Sequence, residues 1–365
     1  MIIKNGYVYG EDKTFQKRDL YVEGGKIAAD INRVSDRTEL DAAGLYVIPG
    51  LIDVHSHGAC GHDLCDADPA GLAEILRYQR AHGITSYCPT SMSLPKERLK
   101  EIFSTVPLTE IPDQAHIAGI NMEGPFLDPA KKGAHAEESM ILPDVDFFRE
   151  CNAVCGGRIR LVTLAPGQKG DLEFIRALRD EVTISLGHSG AGYDAAKAAL
   201  NAGASHITHL FNAMLPLGHR EPGLIGAAVE APACMAELIC DGIHIHESAI
   251  RIAFTLFPDR IVLISDSMRA AGMENGTYEL GGQQVTVTGR RAALADGTIA
   301  GSATNLYDCM LTAVAFGIPK EEAIAAATMN PAKSIGIYDQ TGSLTPGKQS
   351  DILLTDSDLK LLRVI

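Results

Sequence analysis

Tryptophan is absent from this chain of 365 residues, and aromatic residues supply only 5% of it. A core built here must rely on aliphatic side chains and alanine, which with 36 glycines suits close packing of helices on a sheet. Long apolar runs are missing too, so no transmembrane helix is expected. The opening stretch MIIKNGYVYGEDKTF carries no apolar segment of the kind a signal peptide needs. Clusters of lysine and arginine are lacking, and the net charge of −14 argues against a nucleic-acid surface, although a local basic pocket for an anionic substrate stays open. The cysteines at 60, 65, 88, 151, 155, 234, 240 and 309 show no CxxC pairing. Without an export signal they read as reduced, mostly buried thiols, and a cytoplasmic address follows. There is no low-complexity tract, and 46% hydrophobic with 21% charged residues is the balance of an ordinary globular protein.

What the chain does have is the stretch Val47–Gly58, VIPGLIDVHSHG. An apolar run carries His55 and His57 at its far end. Side chains two apart on a strand share a face, so both imidazoles can reach one point. Gly58 follows where the strand opens into a loop. This is the geometry of a metal-binding pair at the C-terminal end of a buried strand.

Residues 1–46 read as short strands with tight turns, with Asn5-Gly6 and Gly24-Gly25 as hairpin signals. Such a unit is too small to bury much alone. The segment TGSLTPGKQSDILLTDSDLKLL again reads as turn, turn and strand, and it is expected to join the N-terminal strands in a small β-sandwich domain of residues 1–47 and 339–365. Between them, strand-like and helix-like segments alternate. The strand-like ones are PGLIDVHSHG, GITSYCPTSM, HIAGINMEGPFL, RIRLVTLAPG, EVTISLGHSG, ASHITHLFNAM, MAELICDGIHI and RIVLISDSM. Helices are expected over 69–82, from Pro95, over 304–317 and over 320–328. Alternation of this kind implies a parallel sheet, and eight units fit an α/β fold of the (β/α)8 TIM-barrel type over residues 48–338. Alternating β character near 277–298 marks an insertion. A doubly wound open sheet is the alternative, but no GxGxxG follows the first strand.

In a (β/α)8 barrel, chemistry sits where strands end. The first strand ends in His55 and His57, the third in Glu123, the fifth in His188, the sixth in His209 and the eighth in Asp266. One strand-end histidine is most often a structural hydrogen-bonding residue. The shared placement at one end of one barrel carries the inference. Histidine and carboxylate ligands suit Zn²⁺, Fe²⁺ or similar ions, and such ions activate water at neutral pH. Asp266 can take up and return a proton, which points to hydrolysis of an amide, ester or cyclic amide. Cys60, three residues past His57, is left aside. His62, His82, His116, His206 and His219 read as structural; His206, three before His209, is expected on the opposite face of its strand.

With these motifs assembled, the chain resembles the amidohydrolase superfamily. PGLIDVHSHG, the fifth- and sixth-strand histidines, the eighth-strand aspartate and the GSLTPGKQSD segment carry the resemblance. Many members place a carboxylated lysine between two metals; the matching position here is Glu123. Together with KGAH, GHS, THLFNAM, REPG, DGIH and SD, this is similar to the N-acetylglucosamine-6-phosphate deacetylase family within that superfamily.

The resemblance implies that Glu123, His188 and His209 hold the main divalent metal, and that His55 and His57, with Glu123 bridging, hold a second. It implies Asp266 as general base and then general acid. His135, with Ala134 beside it, would contact the sugar or the acetamide carbonyl. Asn212, Ala213, Arg220 and the segment Asp241, Gly242, Ile243 and His244 would bind phosphate or sugar, and the turn Ile299, Ala300, Gly301 would contact substrate. It implies a homodimer whose phosphate pocket is shared between subunits. Taken alone, Asn212 fits an Asx turn, Arg220 a solvated loop arginine and His135 a loop histidine beside Lys131 and Lys132. Other amidohydrolase activities stay open at this point: an N-acetylgalactosamine-6-phosphate deacetylase, a cyclic-amide hydrolase or an N-acyl amino acid hydrolase. So does a catalytically silent assembly protein, although every expected ligand position is filled.

Overall fold

The computed structural model describes residues 1–107 and 113–365. Eight parallel strands form the barrel: β1 (Leu51–Ser56), β2 (Ile84–Ser91), β3 (Ile120–Phe126), β4 (Ile159–Leu164), β5 (Thr183–Leu186), β6 (His206–Ile207), β7 (Met235–Ile239) and β8 (Ile261–Ile264). They pair in chain order from β1 to β8. Beyond β8 the strand ends close the ring, where the Asp266 amide donates to the His55 carbonyl at 2.9 Å and the His57 amide to that of Ser267 at 2.8 Å. Connections between successive strands run through helices, as parallel pairing requires.

The helix ends follow local chemistry. In the first helix, α1 (Pro69–Ala81), Pro69 supplies a preset φ and the Asp68 side chain accepts from the Ala70 amide. Its Leu72, Ile75 and Leu76 are buried, the spacing of one helical face. The helix expected from Pro95 spans Lys96–Ser104, and those near the chain's end span Leu306–Ala315 and Lys320–Ala327. Inside the barrel, Ile52, Cys88, Leu161, Ile239 and Val262 belong to one buried cluster, although their strands lie on different sides of the ring. Ile335 and Ile337 join it. Aliphatic side chains therefore fill the lower interior, as few aromatics required.

Both ends of the chain enter one separate seven-stranded sheet. Ile352–Thr355 pairs antiparallel with Tyr46–Pro49, which also lies beside Ile2–Tyr9. The sheet covers its own small core of Ile3, Val8, Leu20, Val47 and Ile352. Gly24-Gly25 makes the expected hairpin, with both residues at positive φ. Asn5-Gly6 does not. It lies within the strand Ile2–Tyr9, where the register shifts and Asn5 takes φ 62°. An Asn-Gly step satisfies a β-bulge as readily as a two-residue turn, and pairing on both flanks decided between them.

After β8 come three antiparallel strands, Gly276–Leu280, Gln283–Thr288 and Arg291–Ala293, in the region expected to be an insertion. Their Leu280, Val285 and Ala292 pack with Met92, Ala134 and Met268, which follow β2, β3 and β8. The insertion thus sits over the C-terminal mouth of the barrel.

Candidate active site

The mouth is organised around one carboxylate. Glu123 lies on β3, 2% exposed. Its Oε1 is 3.1 Å from both His188 Nε2 and His209 Nε2, and those two nitrogens are 2.9 Å apart. Its Oε2 faces His57 and His135 Nε2 at 3.3 Å and His55 Nε2 at 3.4 Å. Asp266 Oδ1 lies 3.3 Å from His57 Nε2 and 3.6 Å from His55 Nε2. Strand-end residues from β1, β3, β5, β6 and β8 therefore meet within hydrogen-bonding reach.

The far side of each ring fixes which nitrogen holds a proton. His57 Nδ1 donates to the Thr90 carbonyl at 3.2 Å and His188 Nδ1 to the Lys131 carbonyl at 2.9 Å. His55 Nδ1 donates to Glu237 at 2.9 Å. In the neutral ring, each then turns a lone pair on Nε2 toward carboxylate oxygens that are themselves acceptors. Lone pairs facing lone pairs need a cation between them. His55 Nε2 is fully buried and without a hydrogen-bond partner among the described residues, which makes the same point. The donor set, imidazoles and carboxylates grouped within 4.8 Å, fits a divalent ion.

His135 differs. Its Nδ1 accepts from the Ser93 amide at 3.0 Å, so its Nε2 carries the hydrogen. Proximity alone groups it with Glu123 and His188, but that tautomer makes it a hydrogen-bond donor rather than a ligand.

The electrostatics agree. Burial lowers the basicity of His57, but Asp266 and Glu123 outweigh it and raise its pKa to about 10. Burial likewise opposes a charge on His55, and Glu123 with Glu237 pushes it well above the usual imidazole range. Glu123 is raised by burial and then held well below the carboxylate range by His55 and His135. Asp266 is also raised by burial, but its bond to His57 and the charge of His55 bring it to about 2. In every case the cluster demands positive charge between its carboxylates, from protons or from a metal. His135, dominated by desolvation, falls to about 4 and stays neutral.

The backbone is unusual where these side chains leave the sheet. His188, His209, Asp266 and Ala213 have φ of 45°, 26°, 47° and 51°. Left-handed backbone in residues other than glycine costs about 1–3 kcal/mol each and collects at functional sites. It also explains His206. That residue is buried on the same side as His209, its Nδ1 3.1 Å from Ser185 Oγ and 3.9 Å from Glu237 Oε1. The expected opposite facing fails because β6 covers only His206–Ile207, so strand alternation has ended before His209.

A cavity of about 540 Å³ opens above the cluster, within the range of small-molecule sites. Of the expected residues, Ala134, His135, Asn212, Ala213, His244, Ile299 and Gly301 line it, together with Glu123 and Asp266. Ala300 is buried behind the turn. Asp241 holds the loop that bears His244: it accepts from the amides of Ile243 and His244 at 2.9 Å and from His244 Nδ1 at 2.7 Å. Gly242 takes φ 78° in that loop. Arg220 lies elsewhere, in a groove with Tyr193, Asp194 and Glu221.

The sequence reading passed over several residues. Lys131 and Lys132 line the cavity beside Gly133, and the insertion adds Gln283, Asp296 and Thr298. Gln283 Nε2 donates to the Ala134 carbonyl. Glu237 was missed as well, though one charge inside the apolar run MAELIC is itself a signal: such residues are seldom buried unless paired.

A profile of the Amidohydrolase family matches residues 46–364. The chain is 37% identical to N-acetylglucosamine-6-phosphate deacetylase of Bacillus subtilis (strain 168) over 372 aligned residues, covering 100% of this chain and 92% of that protein. It is 34% identical to N-acetylgalactosamine-6-phosphate deacetylase of Escherichia coli O157:H7, covering 97% and 94%. Among solved structures it resembles a mutant N-acetyl-D-glucosamine-6-phosphate deacetylase from Mycobacterium smegmatis in complex with N-acetyl-D-glucosamine-6-phosphate. That match has a TM-score of 0.90 at 30% identity and covers 100% of this chain and 97% of the other.

Proposed function

The chain belongs to the amidohydrolase family, and on that premise we propose that it removes the acetyl group of N-acetyl-D-glucosamine 6-phosphate. The products are D-glucosamine 6-phosphate and acetate, a step of amino-sugar catabolism. It is a metal-dependent hydrolase of a linear amide bond, as its full-length relatives are deacetylases. The observation that carries the reading is Glu123, with one oxygen facing His188 and His209 and the other facing His55 and His57.

Glu123, His188 and His209 would hold one divalent ion, zinc or iron, and His55 with His57 would hold a second against the other oxygen of Glu123. A bound ion supplies Lewis acidity toward the acetamide carbonyl and toward water. The remaining work falls to side chains. Asp266, 8% exposed and lining the cavity, takes the proton of the attacking water and returns it to the departing amine. His135 donates its Nε2–H toward the carbonyl oxygen as negative charge develops there. Asn212, Ala213 and His244 hold the sugar phosphate, and Asp241 with Gly242 and Ile243 fixes the His244 ring. The turn of Ile299, Ala300 and Gly301 borders the sugar.

Arg220 offers the fork of donors a phosphate monoester favours, yet it faces a groove apart from the cavity. That position supports a homodimer in which Arg220 of the partner subunit completes the phosphate pocket. We also take residues 1–47 with 339–365 as the sheet domain and 48–338 as the barrel, with Gly50 as the single residue between the strands Tyr46–Pro49 and Leu51–Ser56. All eight cysteines are free thiols, which supports the cytoplasmic address.

Acetate release from N-acetylglucosamine 6-phosphate, set beside its unphosphorylated and galacto analogues, tests this reading. Preference for the galacto phosphosugar would favour the activity of the Escherichia coli relative. Equal use of the unphosphorylated sugar would remove the phosphate pocket.

A further inference from the structure

Three ligand-bearing rings are anchored at Nδ1, but only one of them by another side chain. His57 and His188 donate to the backbone carbonyls of Thr90 and Lys131, partners that every sequence provides. His55 donates to the carboxylate of Glu237. His209 Nδ1 has no hydrogen-bond partner among the described residues, but the same carboxylate reaches that residue through its backbone: Glu237 Oε2 also accepts the His209 amide at 3.0 Å. One oxygen atom thus ties the end of β1 to the start of the turn after β6.

Glu237 is 0% exposed and does not line the substrate cavity. Its other oxygen, Oε1, has no hydrogen-bond partner among the described residues, His206 Nδ1 being 3.9 Å away. A carboxylate kept in such a place, on a strand whose other residues are apolar, has His55 as its hydrogen-bonded ionisable partner. We propose that Glu237 is the positioning residue of the second ion, holding His55 Nε2 free of hydrogen and aimed at the space between Glu123 and Asp266. The inference rests on the reading of His55 and His57 as ligands of that ion.

The geometry gives the reason. With Nδ1–H committed to Glu237, His55 Nε2 turns a lone pair toward Glu123 Oε2 at 3.4 Å and Asp266 Oδ1 at 3.6 Å. If Glu237 is removed, the proton can move to Nε2, and the ring then donates to Glu123 instead of ligating. The negative charge also raises the basicity of the ring as a ligand, and outer partners of this kind are typically worth 10–100-fold in metal affinity. The ion at Glu123, His188 and His209 has its own backbone-anchored ring and should feel the loss far less. Glu237 would therefore set whether the mouth holds two ions or one.

The test is stepwise titration of chelator-stripped protein with Zn²⁺ or Co²⁺, with bound metal counted by mass spectrometry. Wild type should bind two equivalents, and His55→Asn should bind one. Glu237→Ala should weaken the second equivalent about 10–100-fold and the first, whose His209 loses only a backbone contact, far less. Glu237→Gln should fall between, because its amide oxygen still accepts from Nδ1–H; being isosteric, it also serves if the alanine variant does not fold. The proposal is overturned if both equivalents keep wild-type affinity in these variants, or if both weaken equally alongside a lower Tm, as a merely structural role would give. Wild type that binds no ion would sink the metal-site reading itself, an outcome distinct from either.

Discussion

The two ends of this barrel solve opposite problems. At the C-terminal end, buried carboxylates and imidazoles crowd together, and His188, His209 and Asp266 leave their strands through left-handed backbone. At the N-terminal end the chain is stitched to the sheet domain by ordinary contacts. The Gly50 amide donates to the Asp351 carbonyl at 2.9 Å and the Tyr9 hydroxyl to the Glu321 carbonyl at 2.6 Å. Glu11 accepts from Tyr338, Ser343 and Thr345 at 2.7–2.8 Å, reaching across to the segment that leads back into the sheet. Buried charge without a matching cation is gathered at the mouth, whereas the base is held by backbone and side-chain hydrogen bonds to the sheet domain. Changes at the mouth should therefore move turnover more than stability, and changes at the base should do the reverse.

The largest effect is expected at Asp266. Asp266→Asn should cost about 10²–10⁴ in kcat while metal content and Tm stay near wild type. Near-normal acetate release would remove Asp266 as the proton carrier, and a collapse in Tm would blur the division between the ends. Next comes Arg220→Ala. A charge-assisted bond to phosphate is worth about 1.5–3 kcal/mol, so KM for the phosphosugar should rise about 10–100-fold with kcat little changed. An unchanged KM would detach Arg220 from the substrate.

At the base, a Cβ on Gly50 would lie 2.0 Å from the Thr85 hydroxyl oxygen. Overpacking of this kind costs about 1–3 kcal/mol. Gly50→Ala should lower the denaturation midpoint and leave kcat per folded molecule intact; a loss of kcat instead would show that the two ends are coupled. The smallest effect concerns Glu11. Burial raises its carboxyl, but the bonds from Ser343, Tyr338 and Thr345 bring it to about 2, below the ordinary 4.5. A lowered carboxyl pKa stabilises the fold fully above pH 4.5 and loses that contribution as pH falls toward 2. The side chain is 46% exposed, so screening limits the term to at most about 1 kcal/mol. The Tm gap between wild type and Glu11→Gln should be small at pH 7 and shrink by pH 3.5; a gap that widens would refute the sign.

The barrel was legible because its strands and helices alternate in sequence and because one end of the strands collects the polar residues. His55 and His57 needed only the two-residue period of a strand, and His188, His209 and Asp266 needed only their places at strand ends. Details set by closure of the ring were not legible. Glu237 reads as a stray charge until β7 is laid across from β1. His206 was assigned the wrong face because β6 is shorter than its apolar letters suggest. Asp241 was grouped with residues expected to touch substrate, whereas its oxygens are spent on the His244 loop. Asn5-Gly6 carries the letters of a turn and lies in a bulge, since partner strands on both sides outweigh a local preference.

The passage of the chain through one sheet twice, once near each end, has a consequence for its synthesis. Tyr46–Pro49 finds its antiparallel partner in Ile352–Thr355, on the far side of the whole barrel in sequence. At about 5–20 residues per second, this early strand waits on the order of 15–60 s beside the ribosome with one edge unpaired. Exposed edges of that kind recruit other chains. The nascent protein thus carries an open sheet edge throughout the synthesis of the barrel, until Ile352–Thr355 closes it.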